Sequence, residues 1–541
     1  MPIQYDENRL WKGLYISLVL GYCLAYAPWG TNETDGGFLT GLAWQLLNGK
    51  SLYVDVVYVR PPLPVWLRAF ELQILPEQWA LLGERWIFYV KMGLSAWLAA
   101  AVLANKNAAR VLAAVGFLVS VHCYTPMAWH TVDGILFGTL ALWLLFRVGG
   151  FWGCFLSGWM VLAAALCKQS FYPLVPLWGL ACLWHSGRKN ALWGLAGLVS
   201  GVSVFALALW QTGAWDGFWR MTSGAASAGQ AFQHGIVDYF RINPWYAAWS
   251  ALLLPLPLWW WWKGEPEGLR RPAMWAWAGW LLALMVLYVR SIALRQEFTP
   301  PFAASRLLFD FALLYGLGQG WSGRWGRGVL VPFFSLLALS WCASVSWGYN
   351  LPILMSTPMI WAVMDFSSRL WTANFPAQSA VWARLALVVA LLAVFRYGYE
   401  FVYRDGRRDE MRVDMGQIFP AMHGIRSDTA SALLYADLNN LAARYGPVFK
   451  TLPSFSQANY LTRTRPPLPL DWVVGRETNR DNSMIISQME QTHPVFFVEK
   501  SYGRTRILAD AELTFTREVL SGGRLLEESP HFWVIQYPAT N

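Results

Sequence analysis

The residues equipped to do chemistry in this chain are few and widely spaced. Asp35 follows the first long apolar run, and Arg60 precedes Pro61-Pro62 in the segment TNETDGGFLTGLAWQLLNGKSLYVDVVYVRPPLPVWL. His130, Thr131 and Asp133 open a later apolar run, and Lys168-Gln169 lie between two others. A carboxylate placed this way can take a proton from a hydroxyl group. A guanidinium at a helix start, where free backbone N–H groups and the helix dipole favour negative charge, can hold a phosphate. Lys168 is costly at membrane depth unless it meets water or an anion, which makes it a second phosphate candidate. Arg290, Arg295 and Arg306 flank the segment SIALRQEFTPPFAAS; Arg295 is the candidate to complete the anion site, with headgroup anchoring as the competing role. The others have quieter alternatives too. Asp35 and Asp133 are favoured helix caps, Arg60 can snorkel to headgroups, and His130 can be an ordinary hydrogen-bonded interface histidine.

The elements that must position these residues are membrane helices. Of 541 residues, 56% are hydrophobic and 14% charged, against about 25% charged in soluble globular proteins, which excludes an ordinary cytosolic enzyme. The six cysteines lie in apolar stretches without disulfide or zinc-site spacing. The formal charge of +9 fits phospholipid and phosphate partners, with no nucleic acid expected, and 35 tryptophans suit the membrane interface. A span needs roughly 20 mainly apolar residues. That criterion predicts an all-α polytopic membrane protein of about 13 spans, near 10–29, 86–104, 111–124, 132–146, 151–167, 171–184, 191–211, 245–262, 274–289, 307–320, 329–347, 351–366 and 385–402. The stretch 351–366 is the weakest, being short and holding Pro352 and Pro358. The first run is long and lacks a small-residue cleavage site, so no cleavable signal peptide is expected.

Basic residues in short loops, such as Arg147, Arg188, Lys189, Arg270 and Arg271, put the N-terminus on the cytoplasmic side of a cell inner (plasma) membrane. The first loop (30–85), the turn at His130, the Lys168-Gln169 turn and the segment 212–244 then fall on the opposite side. Within the first loop, Phe38, Leu39, Leu42, Ala43, Leu46 and Leu47 predict a short helix lying in the interface. Pro61-Pro62 opens a second helix with Val65, Trp66, Ala69 and Phe70 on its apolar side. Composition changes near residue 404, dividing the chain into a transmembrane domain (1–403) and an extracytoplasmic small α/β domain (404–541). The latter is expected to hold a helix over 430–445, strands at 447–450, 495–499 and 532–537, and an extended connector at 461–470. Trp259, Trp260, Trp261 and Trp262 are expected to form an interface belt.

Asp35 at the end of the first span, a short helix, Gly49, Tyr53, Asp55 and then Arg60-Pro61-Pro62-Leu63 together resemble the first outer loop of the GT-C superfamily. The likeness is to lipid-carrier-dependent transferases related to protein O-mannosyltransferases and to the lipid A aminoarabinose transferase. It extends to Asp133 and to Lys168-Gln169. Where such transferases commonly carry a second acidic residue and a glutamate before the basic residue, this chain has Gly36 and Val59. The resemblance implies inverting transfer of a sugar from a polyprenyl-phosphate donor to a lipid, glycan or protein hydroxyl at the outer face. Asp35 and Asp133 would be catalytic, and Arg60, Lys168, Gln169, His130 and Arg295 would bind substrate. A divalent metal (Mg or Mn) shared by Asp35 and Asp133 is a further expectation. A transporter or flippase of lipid-linked sugars, or a polysaccharide polymerase or ligase, are the rival classes.

Overall fold

The structure, a computed structural model, describes residues 7–32, 34–122, 126–223, 233–294, 299–345, 352–371, 377–402 and 405–537. Helices dominate the chain up to α-helix Ala377–Glu400, and paired strands enter only after it. The first eight helices are α1 (Glu7–Ala25), α2 (Asp35–Leu47), α3 (Leu63–Ile74), α4 (Ala80–Leu103), α5 (Lys106–Ser120), α6 (His130–Trp143), α7 (Gly150–Ala165) and α8 (Leu174–Gln211). Among the described residues, four helical stretches are long and apolar enough to cross a membrane: Glu77–Leu103, His130–Val148, Gln169–Gln211 and Arg327–Ser344. Leu10–Ala25, Ala108–Ser120 and Gly150–Ala165 are apolar but shorter.

The structure departs from the expected 13 separate spans in identifiable places. The segments 171–184 and 191–211 remain two helical halves of α8, parted by a kink at Gly187, whose non-helical φ of 77° suits a residue without a Cβ. The segment 245–262 is two helices, Pro244–Leu253 and Pro255–Trp262. The break falls at Pro255, which has no N–H to donate. At 351–366 a short turn, Pro352–Met355, precedes a helix that starts only at Thr357. The tryptophan belt is also divided: Trp259 and Trp262 are exposed, whereas Trp260 and Trp261 are buried in an aromatic core with Trp277, Trp280 and Phe366. Large apolar side chains stand exposed along many helices, reaching 85% at Trp321. In water such a surface would drive association, and in hydrocarbon it is the expected exterior.

In the first loop, α2 does not present an open apolar face. Nearly its whole length is buried, pressed between the helical domain and the C-terminal domain. Gly37 and Gly41 make this possible. A Cβ on Gly37 would come 2.8 Å from the Gln457 side chain, and one on Gly41 would collide with the Ser456 carbonyl oxygen. Helix α3 turns its polar side inward: Arg68 is fully buried and Glu71 nearly so, while Phe70 and Ile74 are exposed. Such an orientation is sensible only where the outside is less polar than the inside.

The C-terminal domain has a two-stranded ribbon, β1 (Val413–Asp414) with β2 (Arg426–Ser427), and a four-stranded sheet. The sheet's strands are β3 (Phe449–Leu452), β4 (Val495–Glu499), β5 (Arg524–Glu528) and β6 (Phe532–Gln536), in the order β3-β4-β6-β5. β3 and β4 run parallel and the other pairs antiparallel. Helix Thr429–Tyr445 is capped by Asp428, which accepts from Ser431 N at 2.7 Å. This domain shares one apolar core with the first loop: Phe38, Leu42, Tyr58 and Val65 pack with Leu468, Leu470, Trp472 and Phe496. The backbone bond from Val57 N to Pro469 O (2.9 Å) joins the two, and that from Arg426 N to Pro28 O (2.7 Å) ties the domain to the chain just after α1.

Candidate active site

The site is assembled from the end of α1, the start of α2, the approach to α3, the start of α6 and the turn before α8, closed by the C-terminal domain. Arg85 donates to the carbonyl oxygens of Ala27 (2.8 Å), Trp29 (3.1 Å) and Gly30 (2.7 Å), satisfying backbone acceptors of the turn that follows α1. Asn32, at φ 50°, then accepts through Oδ1 from Asp35 N at 3.2 Å. Asn32 therefore does the capping, and Asp35 is the first helical residue rather than the cap. Asp35 is 6% exposed and lies within electrostatic reach of Arg60.

Arg60 is held on both sides. Its own carbonyl accepts from Tyr53 Oη at 2.6 Å, and the preceding carbonyl, of Val59, accepts from Gln169 Nε2 at 2.6 Å. Gln169 thus fixes the loop, and its amide is committed to that task. The Arg60 guanidinium stacks over Phe38 at 5.2 Å and forms a two-pronged ion pair with Glu477 of the C-terminal domain, Nη2 to Oε1 at 2.6 Å and Nη1 to Oε2. Burial alone would pull its pKa down. The Glu477 charge and hydrogen bonds reverse that and leave it raised.

Lys168, just outside the span Gln169–Gln211, is 5% exposed and reaches Thr131 Oγ1 at 3.5 Å. Burial lowers its pKa to about 7, Arg60 adding to the effect and Glu477 opposing it. His130 feels both cations and packs against Phe38 at 5.8 Å. Both its ring nitrogens are buried without a hydrogen-bond partner among the described residues, and so is the hydroxyl of Tyr58. Tyr58 lies within electrostatic reach of Arg60 and Glu477. Buried polar groups are ordinarily satisfied, so these three atoms mark where a polar ligand or water would complete the cluster.

Asp133 is placed differently from the expectation. Its carboxylate meets Lys91 Nζ at 2.7 Å, Lys91 meets Glu71 at 3.2 Å, Glu71 meets Arg68 at 3.2 Å, and Arg68 pairs with Glu84. This alternating chain of buried charges ties α3, α4 and α6 together, which gives Asp133 a structural partner in Lys91. The described residues contain no group of three or more His, Cys, Asp or Glu able to hold a metal ion. With Asp133 committed to Lys91, the donor set does not fit a divalent ion shared with Asp35, and no step below runs through one. Arg295 lies outside the described residues. Arg306 donates to Asp238 O at 2.7 Å.

Sequence reasoning passed over Glu477 and Tyr58, and also Lys91, Arg68, Glu71 and Glu84. Lys91 had a signal, since a lysine inside an expected span requires a partner. Glu477 had none, because its partner is remote in the chain.

The sequence matches no protein-family profile and no curated protein. The fold is similar to crystal structures of the Archaeoglobus fulgidus oligosaccharyltransferase. The apo form superposes with a TM-score of 0.46 at 10% identity, covering 99% of this chain and 75% of that one. The complex with Zn and sulfate superposes at 0.45 and 11%, covering 97% and 73%.

Proposed function

We propose that the chain is an integral-membrane inverting glycosyltransferase of GT-C type that moves a sugar from a polyprenyl-phosphate donor to an acceptor hydroxyl at the outer face. The observation that supports it most is the buried cluster of Arg60, Lys168, His130 and Tyr58 beside the Asp35 carboxylate. It combines cations for a phosphate with a base for a hydroxyl at the junction of apolar helices and a polar domain. The loop resemblance described above points the same way. A donor presented from the bilayer suits this junction, because lipid-linked sugars arrive laterally whereas nucleotide sugars stay in the cytosol.

In this mechanism Asp35 accepts the proton of the acceptor hydroxyl as that oxygen bonds to the anomeric carbon. The bond from the anomeric carbon to the phosphate oxygen breaks on the opposite face, inverting the centre and releasing polyprenyl phosphate. Lys168 and Arg60 stabilise the departing phosphate. Glu477 occupies Arg60 until the donor competes for it, so the resting ion pair keeps a buried cation compensated. Gln169 and Tyr53 are positioning residues that hold the Arg60 loop. The test is incubation of the purified chain with short-chain polyprenyl-phosphate sugars, scoring free polyprenyl phosphate. Asp35→Asn, folded like wild type, should lose about 10²–10⁴-fold in rate; equal rates would remove Asp35 as the base.

A further inference from the structure

A cavity of about 400 Å³ lies in the C-terminal domain, with Thr34 of the first loop in its wall. Its lining includes Thr34, Trp472, Arg476, Tyr502, Arg506 and Asp510. The cavity and the cationic cluster adjoin through Phe38, which carries Arg60 on its ring at 5.2 Å and meets Trp472 edge-on at 5.5 Å. Thr34, at the cavity wall, is the residue immediately before Asp35. Nothing in the handling of a lipid phosphate accounts for this cavity.

Its chemistry selects among ligand classes. Trp472 and Tyr502 supply aromatic planes, and Arg476 and Arg506 sit 5.2 and 5.4 Å from those rings. Two carboxylates, Asp510 and Glu512, complete the charged lining. Glu512 accepts from Arg476 N at 2.7 Å, and Asp510 accepts from Glu512 N at 2.9 Å through Oδ1. Two arginines are thus balanced by two carboxylates, so neither a polyphosphate nor a polycation is favoured. An acyl chain is disfavoured by four charged groups in so small a space. A neutral polyhydroxyl ring uses everything present. Its hydroxyls both donate and accept, and its C–H face packs on indole or phenol. The volume lies in the range of about 300–1,000 Å³ typical of ligand sites.

We propose that this cavity is the acceptor site and that the acceptor is a neutral carbohydrate, whose hydroxyl is delivered past Thr34 to Asp35. The assignment rests on the reading of Asp35 as the transfer base, whereas its test does not require turnover. The full chain in lipid nanodiscs is titrated with methyl glycosides of glucose, galactose, mannose and N-acetylglucosamine, followed by saturation-transfer NMR. Inorganic phosphate and short-chain polyprenyl phosphate serve as separate probes. At least one glycoside should bind wild type, and Arg506→Ala and Asp510→Asn should each weaken it about tenfold or more without changing phosphate binding. Arg506 is exposed, so its truncation spares the core. Glycoside binding without consumption of any donor would remove the transfer reaction and uphold the cavity's ligand class. Donor consumption with no glycoside binding, or binding unaltered in Arg506→Ala, would overturn the proposal.

Discussion

The Arg60–Glu477 pair is where the account can be tested with a magnitude. Both side chains are nearly inaccessible, 8% and 2% exposed, and they join the first loop to the C-terminal domain. Removing one partner of such a pair leaves an uncompensated buried charge, at a cost of about 3–5 kcal/mol. Glu477→Ala should therefore destabilise the docked unit of loop and C-terminal domain by that amount. For a unit of about 150–250 residues, each kcal/mol lowers Tm by about 2–4 °C, so the expected drop is about 6–20 °C. Arg60→Met/Glu477→Met deletes both charges and keeps apolar volume, and should recover most of the loss. Calorimetry of wild type, Arg60→Met, Glu477→Met and the double variant in nanodiscs completes a double-mutant cycle. If Glu477→Ala melts within about 2 °C of wild type, or the double variant is as unstable as the sum of the singles, the pair is not the buried latch described above.

Three further outcomes follow from the same geometry. Lys168 falls from its ordinary 10.5 to about 7 when buried. The unfolded chain thus holds more protons between those values, and this residue's contribution makes stability rise with pH across that window. Inorganic phosphate binding should weaken as pH rises through about 7, and Lys168→Arg, which stays charged, should keep binding at higher pH; a flat titration from pH 6 to 9 in wild type contradicts the assignment. Gly41→Ala forces a methyl group against Ser456 O, 3.1 Å from Asp471, and should cost about 1–3 kcal/mol, read as faster protease release of the C-terminal domain; an unchanged cleavage pattern would refute the close contact. Lys91→Met strands Asp133, while Glu71 keeps Arg68, and should cost about 3–5 kcal/mol, with part regained in Lys91→Met/Asp133→Asn; unchanged thermal stability of the single variant would show that the charge chain does not hold α3, α4 and α6.

Much of this architecture was legible because it depends on local pattern. Helix Thr429–Tyr445 and strands β4 and β6 lie within a residue of where periodicity placed them, and Asp35, Arg60 and Lys168 stood out as charges beside apolar runs. The misses arise from what local pattern does not contain. The apolar residues of α2 looked interfacial because one face of a short helix cannot reveal that a second domain will cover it, although Gly37 and Gly41 were the places where that cover fits. The apolar side of α3 could be read as Val65, Trp66, Ala69 and Phe70, but pattern does not say which side faces inward; at Arg68 and Glu71 polar side chains do, while Phe70 is exposed. Glu477 was invisible as a partner of Arg60 for the plainest reason, that an ion pair between distant segments leaves no spacing to read. Hydropathy counts apolar length and does not see the break at Pro255, which divides the expected span 245–262.

The central claim, that Asp35 is the base of a transfer reaction fed by a phosphate-linked lipid, is tested most directly by one comparison. Wild type and Asp35→Asn, reconstituted in nanodiscs at equal folded amounts, are incubated with a short-chain polyprenyl-phosphate sugar and the acceptor glycoside that binds best. The account predicts a sugar–glycoside product of inverted anomeric configuration and equimolar free polyprenyl phosphate from wild type, with both reduced about 10²–10⁴-fold in the variant. Product formation at the same rate in both, or no release of polyprenyl phosphate by wild type from any donor, would contradict it.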